Sequence, residues 1–215
     1  MKYILSVTLL LFTLLGANNA QEEKSAAILK NEGNAALEAK KYKDALASFE
    51  AAIAAWDETE DMDAAMVYNT ATCARKINDN EKALKYYAQS KELNYREDVA
   101  TFYMGMAYKD MGKEVDMEKT LLGGIEEFPN SKYISYMKKE LGTYYVKQAN
   151  DLLSNGITIL NTRVDGNRND WDAIKEKAKL ELDEANELAD KALKYDESNE
   201  YALPIKTKIE ELMKS

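Results

Sequence analysis

Apolar residues recur along this chain at the spacing of one helical face. Between Ser25 and Lys41 they are Ile28, Leu29, Ala35, Ala36 and Leu37, with Ser25 placed to cap the helix N-terminus. Similar runs follow from Tyr42 to Trp56, Ala64 to Ile77, Asn80 to Leu93, Val99 to Met111 and Val115 to Glu127. With two Pro and nine Gly in 215 residues, the punctuation expected of strands is sparse. The pattern predicts an all-α protein.

The runs also pair. Between Asn31 and Ile53, Gly33 is followed by Ala45 twelve residues on, Phe49 sixteen on and Ala52 nineteen on, with Tyr42 at the join between two helical runs. Small residues stand where two helices must approach closely and one aromatic fills the space between them. The spacing recurs as Ala71, Ala83, Tyr87 and Ser90, and again as Gly105, Met117, Leu121 and Gly124, now with Tyr108 and a closing Pro129. Successive anchors are 38 and 34 residues apart. This pattern resembles the tetratricopeptide repeat (TPR), a helical hairpin of period 34 that stacks into a solenoid. A fourth copy opens with Leu141, Gly142 and Tyr145, but Ala185, Ala189 and Ala192, which carry the second-helix spacing, arrive about 31 residues late. Two lengthened helices account for the delay, one from Lys132 to roughly Ile159 and one from Trp171 to Tyr195, with Asn155 and Gly156 as a place where the first could break.

The chain therefore divides into a segment 1–20, three TPR-like repeats over 21–130, an elongated fourth hairpin over 131–198 and a capping helix over 199–215. In the last element Ile205, Ile209 and Leu212 share a face, and Pro204 threatens a backbone hydrogen bond if it lies in the helix interior.

In TPR proteins the first helix of each hairpin lines a concave surface that holds extended peptides or helices. Carried over by position, the resemblance implies a groove that includes Lys30, Asn34, Tyr68, Thr72, Phe102, Met106 and Lys139, with Thr143 beside it. Lys30, Asn34 and Asn69 also match three positions of the carboxylate clamp found in chaperone-binding members. The two basic residues that the clamp requires on the third repeat are replaced by Val99 and Tyr103, so a complete clamp is not expected.

Composition narrows the remaining chemistry. The absence of His removes the commonest general base and metal ligand, and a single Cys, Cys73, rules out an intrachain disulfide and a thiolate metal cluster. No catalytic residues and no cofactor are expected. Lys2, the apolar run from Ile4 to Leu15 and the small or polar exit from Ala17 to Ala20 read as a secretory signal peptide, cleaved after Ala20, so that the protein is exported to the periplasm or secreted. No membrane insertion is expected after cleavage. The remaining chain carries 28 basic against 38 acidic residues, a balance that argues against nucleic acid. In the late loop Asp165, Asn167, Asn169 and Glu176 fall at calcium-loop spacing, but Asp170 stands where that loop needs Gly, so a polar turn capped by Asn169 or Asp170 competes with it. The functional expectation is a non-catalytic scaffold that binds a peptide or protein partner in a bacterial cell envelope. The alternative is a structural role, in which the elongated hairpin mediates homo-oligomer formation.

Overall fold

A computed structural model describes residues 24–162 and 168–214, with the side chains of residues 168 and 169 left undescribed. The signal-peptide segment 1–20 lies outside the described residues, as do Asp165, Asn167 and the side chain of Asn169 from the calcium-loop reading. Among the described residues there are only helices: α1 Ala26–Glu38, α2 Tyr42–Ala54, α3 Ala64–Lys76, α4 Asn80–Glu92, α5 Glu97–Asp110, α6 Glu114–Glu127, α7 Ile134–Leu160, α8 Arg168–Tyr195 and α9 Ala202–Lys214. Each packs on the next along the chain, and α9 also returns to α7. The architecture is the all-α stack of helical hairpins that the spacing predicts.

Local chemistry sets the helix boundaries. Ser25 caps α1 by accepting from the N–H of Ile28, Asp63 caps α3 through Met66 N at 2.9 Å, and Asp79 caps α4 through Lys82 N at 3.1 Å. The three hairpin turns repeat one another. Lys40, Asn78 and Gly112 each take the left-handed conformation, with φ of 57°, 61° and 69°. The next N–H in each case closes a Schellman bond, from Lys41 to Ala36 O, Asp79 to Ala74 O and Lys113 to Tyr108 O.

Inside the hairpins the anchor residues meet the predicted partners. A Cβ added to Gly33 would lie 2.5 Å from Phe49 Cδ1, and one added to Gly105 would collide with Leu121. Phe49, Tyr87 and Leu121, each sixteen residues beyond its anchor, are fully buried. Their side chains contribute to the core about 1.5 to 3 kcal/mol each in hydrophobic transfer. Cys73 is buried in the same core, and its surroundings push the thiol pKa up to about 11, which suits packing and not nucleophilic chemistry.

The fourth hairpin runs unbroken through Asn155 and Gly156. Gly156 does not interrupt α7 but lets α8 approach, since a Cβ there would lie 2.7 Å from Leu182 Cδ2. Ala185, Ala189 and Ala192 are all fully buried, as their spacing predicts. Their register differs from that of the shorter repeats. Gly142 faces Ala192 and Asp196, where strict repetition would have opposed it to Ala189. In α9 the helix begins at Ala202, so Pro204 sits in the first turn, where its missing N–H has no intrahelical acceptor to lose. Ile205 and Ile209 close the core, and Tyr133 packs against both of its parts, the one formed by α2 to α5 and the one formed by α6 to α9.

Candidate peptide-binding groove

The residues anticipated for the groove separate in the structure. Lys30 reaches from α1 to Asp63, with Nζ 2.5 Å from Oδ2, so its charge is already met. Asn34 and Asn69 are half-buried and Lys139 is exposed. Met106 is half-buried and packs against the core formed by α6 to α9.

Tyr68, Thr72 and Phe102 are brought together through rings that were not assigned to the groove. Tyr68 on α3 is buried, edge-on to Tyr87 at 5.6 Å and to Tyr95 at 5.8 Å. Thr72, one turn further along α3, donates to Tyr68 O at 3.1 Å, and its hydroxyl lies 3.4 Å from Tyr87 Oη. Tyr87 stacks on Tyr103 at 5.7 Å. Tyr103 touches Phe102 and Tyr133, and Phe102 also meets Tyr133 at 5.4 Å and Tyr136 at 6.0 Å. A continuous aromatic cluster therefore runs from Tyr95 and Tyr68 through the fully buried Tyr87 and across α5 to the start of α7, where it reaches the surface. Its far end is open, since Tyr136 is 57% exposed.

Cations lie over this surface. Arg75 places its guanidinium carbon 4.0 Å from the centre of the Tyr103 ring, and its Nε donates to Tyr87 Oη at 3.2 Å. Arg96, the residue before α5, holds φ of 49° and sits 5.1 Å over Tyr68. Lys132 lies 5.6 Å over Tyr133. Burial pushes the Tyr68 hydroxyl pKa up to about 12 even though Arg96 pulls it back. Burial also raises the pKa of Tyr87 against the opposing pull of Thr72 and Arg75. These phenols are neutral at physiological pH and act as rings, with the Tyr87 hydroxyl oxygen accepting from Arg75 and that of Tyr68 from Arg96.

Sequence reasoning left out Arg75, Arg96, Tyr95, Tyr133 and Tyr136. Arg75 could have been found, because it follows Thr72 by three residues and so shares its face of α3. Tyr136 carries the same signal, because it precedes Lys139 by three residues on α7. Tyr95, Arg96 and Tyr133 lie just outside helices, where periodicity does not report a face.

Other chemistries find less in the structure. Among the described residues there is no cluster of three or more His, Cys, Asp or Glu side chains able to hold a metal ion. No described helix is long and apolar enough to cross a membrane.

Comparison with solved structures finds the same stack of hairpins in a TPR repeats protein from Bacteroides fragilis NCTC 9343. The similarity covers 87% of this chain and 97% of that one, with a TM-score of 0.56 and 21% identity. The fold is that of the tetratricopeptide repeat. A candidate protein-binding protein from Bacteroides ovatus ATCC 8483 is similar in fold over 89% of this chain and 98% of its own, with a TM-score of 0.53 and 15% identity. No family model matches the chain, and no curated protein matches it by sequence. Within this TPR stack the aromatic surface belongs to the second and third hairpins and the head of the fourth.

Proposed function

We propose that this TPR-fold protein is a non-catalytic scaffold that holds a peptide or protein segment against the aromatic surface between Tyr68 and Tyr136. The observation that carries the reading is a run of seven rings in contact, in which Tyr68 and Tyr87 are buried and Tyr136 is exposed. Rigid aromatic side chains supply contact area at low entropic cost, and they dominate the energetics of most binding surfaces. The fold supports the same reading, because stacked hairpins leave an extended face to which successive repeats each contribute. One of the similar structures is itself described as a candidate protein-binding protein. The apolar N-terminal segment 1–20 supports export, and the scaffold would then act in the cell envelope.

Affinity capture from native envelope extract, with wild type compared with a Phe102→Ala, Tyr136→Ala double variant, tests the assignment. Circular dichroism establishes that the variant retains its fold. Loss of the partner from the folded variant is the expected result, and undiminished capture overturns the proposal. N-terminal sequencing of the exported protein is expected to begin at Gln21, and recovery of an intact N-terminus from the soluble cell interior overturns the assignment to the envelope.

A further inference from the structure

Three cations lie over the aromatic cluster: Arg75 on α3, Arg96 just before α5 and Lys132 just before α7. The ion pairs among the described residues are all made by lysines: Lys24, Lys30, Lys82, Lys91, Lys109, Lys147, Lys206 and Lys208. Arg75, Arg96 and Lys132 take part in none of them. The chain carries 38 acidic residues and a net charge of −9, and among the described residues none of its carboxylates pairs with these three cations.

All three cations instead lie over rings of one connected cluster. Tyr68 and Tyr103 both contact Tyr87, and Tyr103 contacts Tyr133. A guanidinium stacked on a ring uses its face there and keeps its in-plane N–H groups for an acceptor, one of which Arg96 already gives to the Tyr68 hydroxyl. Arg75 has committed only Nε, to Tyr87, which leaves the two terminal nitrogens as a fork of the geometry that a carboxylate matches. Of the nearby acids, Asp98 is already engaged. Asp98 Oδ1 accepts the N–H of Val99 at 2.8 Å and Asp98 Oδ2 accepts from Ser131 Oγ at 2.5 Å, while Glu97, beside Arg96 in the first turn of α5, makes no ion pair with it.

We infer that the segment held on this surface is acidic: an extended peptide whose Asp or Glu side chains meet Arg96 and Arg75 while an apolar or aromatic residue between them rests on Tyr103, Phe102 and Tyr136. The inference rests on the binding function proposed above and adds the chemistry of the partner. Tyr87 alone separates the two ringed arginines, a span that a few residues of extended chain cover. Charge complementarity selects the partner here, since an acidic surface elsewhere on the scaffold repels wrongly docked acidic segments and the cationic patch attracts them.

Panning a random peptide library on the full exported chain, residues 21–215, tests this directly. The expected result is enrichment of peptides rich in Asp and Glu. A synthetic copy of the leading peptide should bind about tenfold more weakly to either Arg75→Gln or Arg96→Gln, with weakening as salt rises. Arg96 is exposed and precedes its helix, so its variant remains informative should Arg75→Gln disturb the core. Enriched peptides that are neutral or basic, yet lost on Phe102→Ala, Tyr136→Ala, leave the binding surface standing and overturn the acidic partner. Acidic peptides that bind both arginine variants as tightly as wild type also overturn it. No enrichment that depends on the aromatic residues sinks both readings. Self-association lost in the arginine variants replaces the peptide with a second copy of this chain.

Discussion

Lys30 and Asp63 tie the first hairpin to the second: Lys30 Nζ lies 2.5 Å from Asp63 Oδ2, while Asp63 Oδ1 accepts the N–H of Met66. One carboxylate thus closes an ion pair between α1 and α3 and caps the latter. The cap is the larger contribution, about 1 kcal/mol, because an ion pair this open to solvent is worth well under that.

Asp63→Ala is therefore expected to lower stability by about 1 to 2 kcal/mol, and Lys30→Met by a few tenths. Burial would raise the Asp63 pKa, but the hydrogen bonds from Lys30 and Met66 N outweigh it and the net shift is downward. A carboxyl whose folded pKa is depressed stabilises the fold above its unfolded value, near 4, and that contribution disappears as pH falls through the folded value. Urea unfolding at neutral and acid pH should show wild type losing more stability on acidification than Asp63→Asn. Parallel losses in the two proteins would refute this role.

The same substitution should have opposite signs at two helical glycines. A Cβ at Gly33 meets the fully buried Phe49 ring at 2.5 to 3.0 Å, whereas a Cβ at Gly123 on α6 meets nothing within 4 Å. Gly123→Ala is expected to stabilise by up to about 1 kcal/mol, through the restriction of the unfolded chain and better helix propensity. Gly33→Ala gains the same propensity but forces an aromatic ring to move, at a cost of about 1 to 3 kcal/mol, and should be destabilising overall. Thermal unfolding of the two variants decides the matter, and a more stable Gly33→Ala would show that the helices do not approach this closely.

At high pH the buried tyrosines should govern stability. Tyr86 Oη donates to Glu50 Oε1 at 3.1 Å, and burial, reinforced by that carboxylate, pushes its pKa up to about 12, as burial does for Tyr68. Because the neutral phenol is favoured in the folded state, this stabilisation is fully present below the unfolded value near 10 and is lost as pH rises toward 12. Unfolding followed between neutral pH and pH 12 should show a decline that is shallower in Tyr86→Phe, and an unchanged slope in that variant would count against the shift.

How far the residues announced the structure depended on the distance over which they act. Gly33 and Phe49, Ala71 and Tyr87, and Gly105 and Leu121 could be paired from spacing alone, because a hairpin with a short turn holds two helices in one register and the meeting positions lie sixteen residues apart. The repeated left-handed turn at Lys40, Asn78 and Gly112 keeps that register constant. Where the turn is replaced by a longer connection the rule fails. Gly142 meets Ala192 and Asp196 because close packing along the full length of α7 and α8, including Gly156 on Leu182, selects the register there.

The groove was legible only in part for a related reason. Tyr68, Thr72 and Phe102 share helical faces that their sequence positions identify, whereas Lys30 could not be known to be committed to Asp63 until α1 and α3 were placed side by side. By itself the sequence determined the helices, the hairpin pairs within the short repeats and the all-α class, since each follows from contacts made within one element or across one turn. The tertiary structure alone decided that Arg75, Arg96 and Lys132 lie over one aromatic surface. Helical periodicity states which residues share a face, but the rings and cations here come from α3, α4, α5, α7 and the loops between them, and only the packing of one hairpin on the next brings those together.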